Sequence, residues 1–257
     1  MSSQNVALFI DLTARELRTR VLSVGAGWFW LFATPILLLL VYNFVFGVIF
    51  QARAPDLDVP FVAWLAVALW PWLAFSDGVL KGSEAIKKNA ELIAKVAVPR
   101  ALLTISTQTA SFLLQLVGYL VVLLALAVLG VELTLVGIPY VLLVLATLYL
   151  LSLGLALLAS AVQVFVRDLE QLLPTLMMFW FFLTPILYAP ELLPEDMRVW
   201  LHLNPMAWWM EEIRSALFHG KMLPDLNFLP LLAGALLMVW VGKRIFDRLS
   251  PHFEDFL

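Results

Sequence analysis

Charged residues cut this chain into long uncharged stretches. Between successive Asp, Glu, Lys and Arg lie 32 uncharged positions at 21–52, 18 at 59–76, 31 at 101–131, 34 at 133–166, 20 at 171–190 and 17 at 226–242. A helix needs about 20 apolar residues to cross a bilayer core. A charge at its centre costs roughly 2.5–3.5 kcal/mol on the insertion scale. The pattern therefore predicts an all-α, polytopic membrane protein with six spans, at about 28–50, 61–80, 101–129, 138–163, 171–189 and 226–244. The last stretch is short, but Lys243 and Arg244 can snorkel to the headgroups. The 12 uncharged residues at 199–210 are too few to span. No fixed-period repeat and no soluble domain is visible, so residues 1–257 read as one membrane domain.

Three segments are patterned but do not span. Along 6–21, Val6, Phe9, Ile10, Ala14, Leu17 and Val21 fall on one helical face, with Asp11, Arg15 and Arg18 opposite. Such a helix lies in the membrane interface, either as an anchor or as the frame of a docking surface. Residues 81–100 form the largest internal loop, where Glu84–Lys88, Lys87–Glu91 and Glu91–Lys95 are i,i+4 pairs that favour a short helix. Ile86, Ala90 and Ile93 put a narrow apolar stripe on it. The loop is either simply solvated or a plug for a groove on another subunit. Residues 190–225 are rich in Pro and Trp. Asn204-Pro205 reads as an N-cap with proline at the first helical position, and Met206, Trp209, Met210, Ile213 and Leu217 then share a face. Two short helices dipping into the membrane fit this segment, and so does an aromatic belt resting on it.

Composition agrees with the membrane reading. Hydrophobic residues make up 63% and charged residues 14%, against about 45–50% and about 25% in soluble domains. A net charge of -3 disfavours a nucleic-acid partner. Six spans place both termini on one side. That side carries 12 of the 16 Lys and Arg, while Arg53, Arg198, Arg214 and Lys221 fall on the other. The positive-inside rule then predicts cytoplasmic termini. The first apolar stretch is too long for a cleaved signal peptide.

The expected chemistry is that of a conduit. Zero cysteines exclude thiolate metal sites and a cysteine nucleophile, and the three histidines lie far apart in sequence, outside the spans. Gly220-Lys221 and Gly242-Lys243 lack the following Ser or Thr of a P-loop, so the chain is not expected to bind ATP that way. Ionisable residues within the spans, which mark ion and proton paths, are nearly missing; Asp77 sits at the end of the second. The positive clue is aromatic. Trp28, Phe29 and Trp30 open the first span, and Phe179, Trp180, Phe181 and Phe182 fill the fifth. Ring faces of this kind can stack on the C–H faces of sugars, or simply pack against helices and lipid.

Specific motifs then carry a resemblance. They are Thr34-Pro35 leading into 41–47 (VYNFVFG), 89–100 (NAELIAKVAVPR), Arg167-Asp168-Leu169 and 184–188 (TPILY). Further along come Leu203-Asn204-Pro205 with Arg214 and Gly220, and the tail 253–257 (FEDFL). In this order the chain resembles the membrane subunit of ABC-2 type exporters, most of all the group moving O-antigen, capsule or teichoic acid. The resemblance implies a homodimer in the bacterial inner membrane, with two separate ATPase subunits that bind ATP and Mg. This chain would have no cofactor, metal or catalytic residue of its own, and its cargo would be a lipid-linked polysaccharide. It implies that 6–21 is an interface helix and that 82–96 is a coupling helix meeting the ATPase through Glu84, Lys87, Lys88, Asn89, Glu91, Leu92 and Lys95. It also implies re-entrant helices within 190–220. Rings of the first and fifth spans would line the channel, a role that falls on Trp28, Phe29, Trp30, Phe179, Trp180, Phe181 and Phe182 at the level of the span. Two rivals stand beside this reading. One is an ABC-2 exporter of a drug or lipid; the other, more distant, is a membrane enzyme of lipid or glycan metabolism.

Overall fold

A computed structural model describes residues 3–22, 27–52, 54, 59–95 and 98–256. Arg53 and Val96, which entered the orientation count and the expected 82–96 helix, lie outside the described residues. Among the described residues the regular structure is entirely helical. Its elements are α1 (Ser3–Leu22), α2 (Gly27–Tyr42, running on as a π-helix to Ile49), α3 (Phe61–Lys88), α4 (Ala90–Lys95) and α5 (Arg100–Val128). There follow α6 (Ile138–Phe165), α7 (Leu169–Leu183), α8 (Glu195–Leu203), α9 (Pro205–His219) and α10 (Phe228–Leu249), with a closing 3-10 turn, Ser250–Asp255.

Five helical stretches are long and apolar enough to cross a membrane: Gly27–Ile49, Phe61–Lys88, Arg100–Val128, Leu135–Phe165 and Phe228–Glu254. The stretch expected as the fifth span differs. Its helix, α7, has 15 residues and rises about 22 Å, short of the roughly 30 Å core. Pro185 ends it. Proline carries no amide hydrogen and forces the preceding residue out of the helical region; Thr184 sits at φ -93, ψ 134.

α3 is the axis of the bundle. It packs on α5 and α6, and α10 covers another side of α6. From Phe61 to Trp72 every residue of α3 is buried, so over that stretch the helix shows no polar face. α6 and α10 touch backbone to backbone: a Cβ at Gly242 would stand 2.1 Å from the Gly154 carbonyl oxygen. α2 is the opposite case. It rests on α5 through Pro35 and Leu39, and most of its remaining surface is bare.

Leu12 of α1 shares a buried cluster with Ile86, Ile93, Phe246 and Phe253. Both ends of the polypeptide therefore meet at one end of the bundle, called here the terminal end. α1 sits on α5 by Leu12 and Thr13, with Leu8 and Phe9 packed alongside. Val6 and Ile10 of the expected apolar face turn away from the protein. The helix thus has two apolar strips, one for the protein and one facing outward.

Candidate translocation and docking surfaces

At the terminal end, the expected 82–96 helix is two pieces. α3 continues for 28 residues to Lys88 without stopping at the edge of its apolar part, and Asn89 (φ -106, ψ 21) breaks it before α4. Asn89 then fastens the break. Its amide Nδ2 donates to the Ala85 carbonyl at 2.8 Å, and its Oδ1 accepts from Arg15 of α1 at 3.2 Å. The expected pairs Glu84–Lys88 and Glu91–Lys95 form. The Lys87–Glu91 pair does not, because the kink puts those residues on different helices. Lys87 instead reaches Glu170 in the first turn of α7 at 3.0 Å. Ile86 and Ile93 are buried within the chain, so the apolar stripe is core. The outward face is charged, led by Glu91 (side chain 91% exposed) and Lys95 (73%), while Leu92 packs inward.

The tail secures this end. Phe253 is fully buried against Phe246 and Phe165, and Arg100 donates both to the Ser250 carbonyl and to Glu254.

The aromatic positions separate into two groups. Trp28, Phe29, Trp30, Phe179 and Phe182 point out of the subunit. Trp180 and Phe181 point into it: Trp180 meets Phe75 edge-on at 5.4 Å and Trp72 at 6.0 Å, and Phe181 lies 5.8 Å from Trp72. Leu173 and Met177 continue this inner face toward the terminal end. Of the four fifth-span rings named from the sequence, Phe179 and Phe182 are thus exposed on the surface of the chain, and Trp180 and Phe181 are packed against its core.

At the opposite end, 190–225 forms two short helices, α8 and α9. Asn204 is the N-cap of α9, accepting from the Met206 amide at 3.1 Å, with Pro205 next; Gly220 closes the helix at φ 69, which suits glycine. The face read from the sequence, Met206, Trp209, Met210, Ile213 and Leu217, is buried.

Sequence reasoning found that cap but missed what else it holds. The last carbonyls of a helix have no intrahelical partner, and in an apolar setting they must find one. Thr184 returns its hydroxyl to the Trp180 carbonyl at 2.8 Å. Asn204 Nδ2 donates to the Leu183 carbonyl and to the Thr184 hydroxyl, both at 3.1 Å, and its Oδ1 also accepts from the Trp180 indole at 2.9 Å. Arg214 donates to the Pro185 carbonyl at 2.9 Å and to the Trp64 carbonyl of α3 at 3.2 Å, and lies 3.4 Å above the Trp64 ring. Burial lowers the Arg214 pKa, an effect opposed by Glu211 and Glu191. The broken end of α7 is thus sewn to α9 and α3. Just past α9, Lys221 donates to Glu212 of that helix at 2.7 Å and to Asp225 at 3.0 Å, and Glu212 also accepts from Tyr140 of α6 at 2.6 Å. Desolvation pulls the Lys221 pKa down, but the two carboxylates overcome it and raise it; Lys221 in turn lowers that of Asp225.

The arrangement offers a charged face at one end, outward rings along two helices and a hydrogen-bonded closure at the other end. Residues 7–218 match the ABC-2 type transporter family. The chain is 32% identical over 251 residues to the O-antigen export system permease protein RfbA of Myxococcus xanthus, covering 96% of this chain and 94% of that protein. Two Klebsiella pneumoniae proteins of the same name are each 26% identical over 250 residues, covering 97% of this chain and 95% of each of them. By that match, and by an architecture in which apolar helices are joined by short polar segments, the chain belongs to the ABC-2 type transporter family.

Proposed function

We propose that this chain is the membrane permease of an ATP-driven exporter of lipid-linked polysaccharide in the bacterial inner membrane. Two copies pair, and two ATPase subunits carrying ATP and Mg dock at the terminal end, which is cytoplasmic. The observation that carries the reading is the near-full-length likeness to permeases named for O-antigen export. The outward rings of α2 and α7 support it, since they offer stacking faces on the surface a second copy would meet. The charged face of α4 supports a soluble partner at the same end as the termini. ATP binding by that partner would displace 82–96, and the displacement would open a path between the two copies. This chain itself makes and breaks no covalent bond.

The test is reconstitution of the chain with its ATPase subunit in vesicles. Hydrolysis stimulated by a polyprenyl-linked glycan, with glycan appearing in the opposite compartment, is the expected result. Stimulation by drugs or simple lipids but not by glycan would reassign the cargo. Transport without any ATPase subunit would overturn the reading. Glu91→Lys reverses the most exposed carboxylate of α4 and is expected to weaken ATPase binding about tenfold, equivalent to roughly 1.4 kcal/mol. Unchanged binding would mean that α4 lies outside the dock.

A further inference from the structure

Lys87 and Glu170 belong to different helices and meet at the terminal end. Lys87 is on the last turn of α3, two residues before the Asn89 break that leads into α4. Glu170 is in the first turn of α7. Their 3.0 Å contact joins the proposed docking segment to the helix that carries Phe179 and Phe182. Further along, α7 lies on α3 through the Trp72, Phe75, Trp180 and Phe181 rings. At the opposite end, Arg214 bridges the Trp64 carbonyl of α3 and the Pro185 carbonyl just past α7. α7 is therefore held to α3 at three heights. The middle one is ring packing and the far one is a buried bracket; only the near one is an ion pair between partly exposed side chains (28% and 56%).

We propose that the Lys87–Glu170 pair is the drive link of the permease: it passes displacement of residues 82–96 to α7, which turns about the Arg214 bracket and shifts its outward rings. This rests on the function proposed above. An exposed ion pair contributes little to stability, so losing it leaves the fold standing. What it supplies is a directional tie between one end of α3 and one end of α7, placed inside the docking segment just before its Asn89 break. Lys87 and Glu170 are positioning residues, since neither is placed against the cargo.

The experiment uses the full complex with its ATPase in vesicles, reading ATP hydrolysis and glycan delivery in the same sample. Lys87→Glu and Glu170→Lys are each expected to lower glycan delivered per ATP at least about fivefold, the lower end of coupling between linked sites. In Glu170→Lys, which lies on α7 outside the 82–96 docking segment, hydrolysis should stay within about twofold, the size of effect expected of a surface substitution; for Lys87→Glu the reading is the delivery per ATP alone. The double exchange K87E/E170K restores the pair with its charges swapped and should recover most of the ratio. Glu170→Gln removes the pair at an exposed position and provides the same reading should a reversal disturb assembly. Normal delivery per ATP in E170Q and in both reversals would overturn the link, as would a double exchange no better than the single changes. If the unaltered complex fails to move glycan on ATP, the proposed function fails first, and that result is distinct from a working exporter indifferent to this pair.

Discussion

Arg214 shows how much of the far end depends on one side chain. It is 4% exposed, and its hydrogen bonds go to main-chain carbonyls, with Glu211 and Glu191 acting on it only through their charge. Its charge is held by two carbonyls and one ring face, an arrangement that the planar guanidinium fits and the compact lysine ammonium does not. Arg214→Lys keeps the charge but gives up one carbonyl or the stacking. Hydrogen bonds to charged groups are worth about 1.5–3 kcal/mol, so the variant should lose about that much stability. Thermal unfolding of the purified protein in detergent would show it, and a melt equal to that of the unaltered protein would refute the bracket. Sequence reading placed this arginine on the outer side and among the motif residues, but assigned it no partner. Its partners are main-chain carbonyls 150 and 29 positions away, and a carbonyl leaves no trace in residue type. Asn204 was readable as a cap because the neighbouring proline marks it. Its bonds to Trp180, Leu183 and Thr184 were not, since they depend on where α7 stops.

Among the elements, those set by local chemistry were legible and those set by tertiary contact were not. The start, inner face and glycine end of α9 follow from Asn204-Pro205, the 3.6-residue spacing and Gly220. Counting uncharged residues overran α7, because the count treats Pro185 as one more apolar position. The same count marked the apolar part of the second span, 61–80, while the helix itself carries its charged turns on to Lys88 without a breaker until Asn89. The tip after α9 gives an element-scale test. Glu212 is buried and is held by Lys221 and Tyr140. Lys221→Met leaves that carboxylate with the tyrosine alone, and loss of a charged hydrogen bond should cost about 1.5–3 kcal/mol. The pH dependence has a definite sign. Lys221, with its pKa raised, contributes fully below the ordinary lysine value of 10.5 and loses its contribution as pH climbs through the raised value. Asp225, with its pKa lowered, contributes above the ordinary value of 3.8 and loses its contribution as pH falls through the lowered one. Between those two values these groups should leave the melting temperature flat. Lys221→Met should lower it by a constant amount across that window, and a difference that vanished near neutrality would contradict the ion pair.

At the scale of the whole molecule, the question is which surfaces await a cover. α3 is enclosed, whereas α2 and the outer face of α7 present rings and aliphatic chains to whatever surrounds the subunit. Hydropathy could not make this distinction. Phe179, Trp180, Phe181 and Phe182 are equally apolar, and a helix that is apolar all round has no contrast to reveal its inner side. The fold resolves it: Trp180 is tied to Asn204 and packed on α3, and Phe179 is 63% exposed. Two neighbouring substitutions should therefore behave differently. Trp180→Ala removes a packed ring and an indole donor, and core losses of this kind reach about 3–5 kcal/mol when burial is complete. Trp180 is half-buried, so about 2 kcal/mol is expected, seen as a lower melting temperature and a weaker hold on the α8–α9 elbow. Phe179→Ala should change stability by no more than about 0.5 kcal/mol, as surface substitutions usually do. If its ring lines the path between two copies, however, that variant should deliver less glycan per ATP while assembling normally. Comparing melting and delivery for both variants separates packing from passage. Equal delivery by Phe179→Ala and the unaltered exporter would mean that this ring faces lipid, and that the conduit runs along another part of the paired surface.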